Sequence, residues 1–246
     1  MNQVLNIFII SLLAGLATGL GGLIVLIKKP GKRLFGFLMG FATGVMIAVS
    51  FLDLLKEAIE SSGYLFTAIG FAVGALFMAL VDSFSPHIHF GEKENISKSK
   101  FLKSGMLIAL GITIHNIPEG ISVGAGYMHL PEFGIFIAIA IALHNIPEGI
   151  ATALPLCKSE LCKAKIFLIT LFSGLVEPIG ALIAVFFLTP FKNLIPISLA
   201  FAAGVMIFIT FDELIPLSRD NGHHHSTIIG MMIGILFVFL FSALLT

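Results

Sequence analysis

The chain has 246 residues, of which 57% are hydrophobic and 11% charged, with a mean hydropathy of +1.06. A soluble domain carries about 25% charged residues, so this chain lacks the polar surface to be one. Lys and Arg together number 14 against 14 Asp and Glu, and no basic block offers a surface to nucleic acid.

A helix needs about 20 apolar residues to cross the hydrocarbon core of a bilayer. Eight stretches qualify, at residues 5–27, 34–55, 64–84, 101–126, 133–156, 166–188, 194–216 and 228–245, numbered here as spans 1 to 8. The first has no positively charged start and is too long for a signal-peptide core, so it reads as a retained span. A polar segment over 85–104 separates spans 3 and 4. The whole of 1–246 is thus expected to be one all-α integral membrane domain.

The basic residues set the orientation. Lys28, Lys29, Lys32 and Arg33 follow span 1; Lys93, Lys98, Lys100 and Lys103 precede or open span 4; Lys158, Lys163 and Lys165 follow span 5, and Arg219 follows span 7. All of these fall on one side, with Lys56 and Lys192 on the other. The positive-inside rule then places both termini outside the cytoplasm.

The outer spans repeat one another. Gly15-Leu16…Leu20-Gly21 in span 1 matches Gly174-Leu175…Ile179-Gly180 in span 6 at an offset of 159. Phe41-Ala42-x-Gly44-Val45-Met46-Ile47 matches Phe201-Ala202-x-Gly204-Val205-Met206-Ile207, and Gly70-x3-Gly74 matches Gly230-x3-Gly234, both at 160. Matched spans lie five apart, an odd step, so each pair runs in opposite directions. The expected architecture is a 3+2+3 arrangement, an inverted repeat around spans 4 and 5, which is the organisation of many secondary transporters.

The central spans carry the chemistry. His115-Asn116-Ile117-Pro118-Glu119-Gly120 in span 4 returns letter for letter as His144-Asn145-Ile146-Pro147-Glu148-Gly149 in span 5. Each His and Glu stand four apart, on one helix face. Each proline leaves a carbonyl without its amide donor, so kinking or unwinding is expected beside both motifs. Span 6 adds Glu177-Pro178, and the repeat mates Met46 and Met206 offer thioethers. Ionisable groups inside a span cost roughly 2.5–3.5 kcal/mol each on insertion scales, which makes them functional by default. Imidazoles, carboxylates and amide oxygens together suit Zn, Fe, Mn, Co or Cd better than Na or K. Three ionised carboxylates repel unless cations offset them; one divalent ion leaves a net charge of about −1, so a carboxyl would then hold a proton.

Other polar residues are weaker candidates. Asp53, and its repeat mate Glu213 with the adjacent Asp212, lie toward opposite faces and are read as entrance and exit relays. Asp82, at a span end, reads as interfacial. His87, His89 and His223–His225 read as solvated loop residues, and His129 is assigned nothing. Cys157 and Cys162 read as unpaired thiols, since a lone C-x4-C is weak evidence for zinc.

These motifs resemble the ZIP family of divalent-metal transporters, and within it the bacterial ZupT-type members, along nearly the whole chain. The resemblance implies uptake of Zn²⁺, and of other divalent ions such as Fe²⁺, Mn²⁺, Co²⁺ and Cd²⁺, across a plasma membrane (the inner membrane in bacteria). It implies a primary metal position formed by His115, Glu119, His144, Glu148 and Glu177 with Met46 nearby. A second would be framed by Asn116, Asn145 and the shared Glu119, Glu148 and Glu177. Some members carry Asp where Asn145 stands, and the amide supplies no charge. No resident cofactor, nucleic acid or enzymatic activity is expected, and a homodimer is compatible with the sequence. Two rival readings remain: an intramembrane metalloenzyme, which lacks an H-E-x-x-H, and a cation or proton exchanger, which leaves the duplicated histidines unused.

Overall fold

The computed structural model describes residues 3–27, 30–84, 93–188 and 194–245. Lys28, Lys29, His87, His89 and Lys192 lie outside these residues, as do the side chains of Lys93 and His129. All regular structure among the described residues is helical. The helices are α1 (Gln3–Ile27), α2 (Lys32–Val49), α3 (Leu55–Phe84), α4 (Lys93–His129), α5 (Pro131–Lys158), α6 (Lys163–Gly174), α7 (Glu177–Ile183), α8 (Leu194–Ile209), α9 (Ile215–Asn221) and α10 (His224–Leu245). Among the described residues seven helical stretches are long and apolar enough to cross a membrane, and the protein is an all-α, multi-pass membrane protein.

One of the seven, Lys32–Ser83, runs for 52 residues. At about 1.5 Å per residue that is far longer than one crossing of a ~30 Å core. It bends at Gly63, whose φ of 76° and ψ of 168° are non-helical. A side chain is strained at such a φ, and glycine is not. The sequence suggested a loop over 56–63. Instead the helix continues to the bend, and its polar residues face outward, Ser61 Oγ donating to Glu57 Oε1 at 3.0 Å one turn away. The expected polar loop over 85–104 is likewise helical from Lys93 onward.

Of the kinking or unwinding expected beside the two motifs, unwinding does not occur. α4 and α5 continue through Pro118 and Pro147, so neither is unwound there. The break falls in span 6, where α6 ends at Gly174 and α7 begins at Glu177 after two turn residues. Pro178 sits in the first turn of α7, where a missing amide costs nothing.

Short π-helical segments replace α-helix at Ser50–Leu54, between α2 and α3, and at Thr210–Leu214, between α8 and α9. They are repeat mates at the offset of 160, and they carry Asp53 on one side and Asp212 and Glu213 on the other. A third follows α7 at Ala184–Leu188.

Helix pairing also follows the repeat. α2 packs on α10 as α8 packs on α3, while α1 packs on α5 as α7 packs on α4. These contacts are backbone-close. A Cβ at Gly149 would meet the carbonyl of Thr18, and one at Gly120 would meet the carbonyl of Glu177. Small residues let helices approach in this way where lipid offers no hydrophobic drive. Large apolar side chains such as Leu13, Leu65, Phe172 and Phe211 are exposed on the outside. The interior holds the charged residues of the central helices.

Candidate metal site

The site forms where α4 and α5 pack together and α7 meets α4. His115, Asn116, Glu119, Asn145, Glu148 and Glu177 are all buried, none more than 2% exposed. The four-residue spacing turns His115 and Glu119 to one face of α4, and the helix carries them there intact through Pro118.

Glu119 is the hub. Its Oε1 lies 2.7 Å from His115 Nε2 on its own helix and 2.7 Å from His144 Nε2 on α5. The approach to His144 has hydrogen-bond geometry; the one to His115 does not. His115 Nε2 is also 3.5 Å from Glu148 Oε1. Ligand atoms of His115, Glu119 and His144 lie within 4.8 Å of one another, close enough to hold one metal ion.

Around this hub the buried polar atoms are under-satisfied. Asn116 Oδ1, Asn145 Oδ1, Glu119 Oε2, both oxygens of Glu148, Glu177 Oε2 and both ring nitrogens of His115 have no hydrogen-bond partner. Native interiors leave few such groups, and a cluster of them calls for a ligand. Buried carboxylates in particular need cations beside them. The donor set, imidazole nitrogen with carboxylate and amide oxygen, fits a divalent transition metal.

The amide groups of the two asparagines are fixed by the flanking helices. Asn116 Nδ2 donates to the carbonyl of Ser173 at 2.9 Å, and Asn145 Nδ2 donates to that of Ala14 at 3.0 Å. Asn145 Nδ2 also donates to Glu177 Oε1. Sequence reasoning did not foresee these ties, although Ala14 and Ser173 are repeat mates at the offset of 159.

His144 is the open side of the cluster, 12% exposed where His115 is fully buried. Asp53, exposed on its π-helical segment, lies within electrostatic reach of His144 and Glu119. Met46 and Met206 are buried, and Ser50 Oγ connects them, donating to the Met46 carbonyl at 2.7 Å and meeting Met206 Sδ at 3.7 Å.

Asp212 and Glu213 belong to a separate group. Their carboxylates gather with that of Asp82, which is paired with Lys103 at 2.9 Å. Asp82 was expected only to be interfacial; it joins this group because α3 packs on α8. His223–His225 are exposed at the start of α10. Cys157 is buried and Cys162 exposed, both free.

Residues 89–242 match the family profile of ZIP zinc transporters. The chain is 41% identical over 258 residues to the zinc transporter ZupT of Akkermansia muciniphila, covering 96% of each chain. It is 38% identical to the zinc transporter ZupT of Chlorobaculum parvum over 96% of each chain, and 38% identical to that of Oceanobacillus iheyensis over 95% of this chain and 96% of the relative. The chain belongs to the ZIP zinc transporter family. ZIP proteins are transporters and not enzymes, which removes the intramembrane metalloenzyme from consideration.

Proposed function

We propose that this ZIP protein is a secondary transporter that carries Zn²⁺ into the cytoplasm, and with it Fe²⁺, Mn²⁺, Co²⁺ and Cd²⁺. The observation that carries this reading is the convergence of His115, Glu119 and His144 on one buried point, surrounded by unpartnered oxygens of Asn116, Asn145, Glu148 and Glu177. Those residues, with Met46 beside them, hold the metal in passage. The names of the relatives, each a zinc transporter, support zinc as the cargo.

The reading includes eight crossings in the 3+2+3 inverted repeat. Three observations support it: the bend at Gly63, the repeat-related helix pairings, and the π-helical segments at matching positions. Both termini then lie outside the cytoplasm, with the protein in a plasma membrane, the inner membrane in a bacterium. Asp53 delivers ions toward His144, while Asp212 and Glu213 receive them at the opposite face. All the ligands come from one chain, so a homodimer is not required to complete the site.

Metal uptake into proteoliposomes of the purified protein tests this, with Zn²⁺, Fe²⁺, Mn²⁺ and Cd²⁺ compared against Na⁺. Saturable transition-metal flux that falls sharply in His115→Ala and His144→Ala supports the transporter. Flux indifferent to both substitutions favours an exchanger that works through the carboxylates alone.

A further inference from the structure

The two halves meet the central pair through matching contacts. Asn145 donates to the Ala14 carbonyl as Asn116 donates to that of Ser173, and Ala14 and Ser173 are repeat mates. Gly149 abuts the Thr18 carbonyl as Gly120 abuts that of Glu177. Gly15 and Gly174, also mates, lie against each other's carbonyl oxygens. One more step of the same register pairs Thr18 with Glu177. On helix α1, therefore, Thr18 occupies the place from which α7 sends its carboxylate toward Asn145.

Thr18 is fully buried, and its Oγ1 has no hydrogen-bond partner. The buried Thr152 and Thr210 share this state, but a threonine in a helix commonly donates to the carbonyl four residues back. Thr43 and Thr170 do so, at 2.7 and 3.0 Å. For Thr18 that carbonyl belongs to Ala14, and it is engaged by Asn145. The Thr18 hydroxyl is left unpaired beside Gly174 at the end of α6, on a helix that also packs on α5 and α7.

We propose that Thr18 is a specificity-determining residue of the metal site, its hydroxyl supplying a neutral oxygen to the ion on the α1 side where Glu177 supplies a charged one on the α7 side. This rests on the central-site reading above and deepens it. The asymmetry keeps the cradle at three carboxylates instead of four. A fourth would hold a divalent ion more tightly and slow its release, whereas a hydroxyl adds a hard donor without charge. Hard oxygen donors favour Mn²⁺, while imidazole suits Zn²⁺. The hydroxyl therefore matters more for Mn²⁺ than for Zn²⁺.

The test is uptake of Zn²⁺ and of Mn²⁺ by the full chain in proteoliposomes, for Thr18→Val and Thr18→Ser. Thr18→Ala serves as a second hydroxyl-free variant should valine disturb the contact with Gly174. Loss of the hydroxyl is expected to raise KM for Mn²⁺ by about fivefold, the scale of one hydrogen-bond-strength interaction, and for Zn²⁺ by less. Thr18→Ser should return both values toward those of the parent. Unchanged KM for both ions in Thr18→Val and Thr18→Ala overturns the proposal. So does an equal rise for both ions that serine does not rescue, which marks a packing role. A Glu119→Gln/Glu148→Gln protein assayed alongside separates the two claims. If it still transports, the central site is misassigned and Thr18 falls with it. If it is inactive while the hydroxyl-free variants match the parent, the Thr18 proposal alone fails.

Discussion

Glu119 on α4 reaches across to His144 on α5, its Oε1 2.7 Å from the imidazole Nε2, and the same oxygen lies 2.7 Å from His115. One carboxylate oxygen thus joins both copies of the duplicated motif. Removing it disturbs both imidazoles, whereas removing either histidine disturbs one. Glu119→Gln should weaken Zn²⁺ binding more than His144→Ala does. In a double-mutant cycle the two should be non-additive by about 0.5–3 kcal/mol, as for residues in direct contact. Calorimetric titration of the purified variants checks this.

Asn145 joins three helices through one amide, donating to Ala14 on α1 and to Glu177 on α7. Asn145→Ala strips a partner from a buried carboxylate and leaves a buried carbonyl short of a donor. The expected loss is about 1–3 kcal/mol of stability, together with weaker metal binding. Thermal unfolding in detergent reads the first and titration the second. Asn145→Asp gives up the donor and adds charge, so it should bind metal more tightly while unfolding at lower temperature in metal-free solution.

Close helix contact makes some glycines irreplaceable far from the metal. A Cβ at Gly74 would run into the carbonyl of Phe201, a backbone atom that cannot swing aside. Gly31 has nothing within 4 Å of such a Cβ. Gly74→Ala should therefore destabilise by about 1–3 kcal/mol, the usual cost of overpacking. Gly31→Ala should leave the unfolding temperature nearly unchanged. A matched pair of melting curves decides it.

The acidic residues of the two π-helical segments lie on either side of the site in the path we propose. Asp53→Asn should slow capture, raising KM for Zn²⁺ with little change in maximal rate. Asp212→Asn/Glu213→Gln should slow release at the far face, lowering the maximal rate more than it alters KM. Initial-rate uptake across a range of Zn²⁺ concentrations separates these patterns.

Much of the fold was legible because lipid imposes simple rules. Long apolar runs marked the helices, and the Gly-rich matches at offsets of 159 and 160 marked helices that take equivalent places, α2 packing on α10 as α8 packs on α3; which helices pack on which was not foreseen. The duplicated His-Asn-x-Pro-Glu motif and Glu177 stood out because ionisable groups are costly inside a span. The structure brings those residues to one buried place. What was not legible depends on geometry that residue type does not encode. The π-helical segments arise from one extra residue in a turn, and nothing in Ser50–Leu54 announces it. Proline suggested kinking or unwinding at 118 and 147; the helices are not unwound there, and the chain breaks instead before Glu177, where Pro178 can begin a new helix. The gap between spans 2 and 3, with Lys56 in it, suggested a loop, but a helix can carry charge beyond the hydrocarbon without ending. Asp82 joined Asp212 and Glu213 only through tertiary packing.

The central claim is that the carboxylates of α4 and α5 hold the metal in transit. Zn²⁺ uptake into proteoliposomes, comparing the parent protein with Glu119→Gln/Glu148→Gln at equal amounts of folded, reconstituted protein, tests it most directly. The account predicts saturable Zn²⁺ entry in the parent and flux indistinguishable from protein-free vesicles in the double variant. Zn²⁺ entry at the parental rate in the double variant would contradict it.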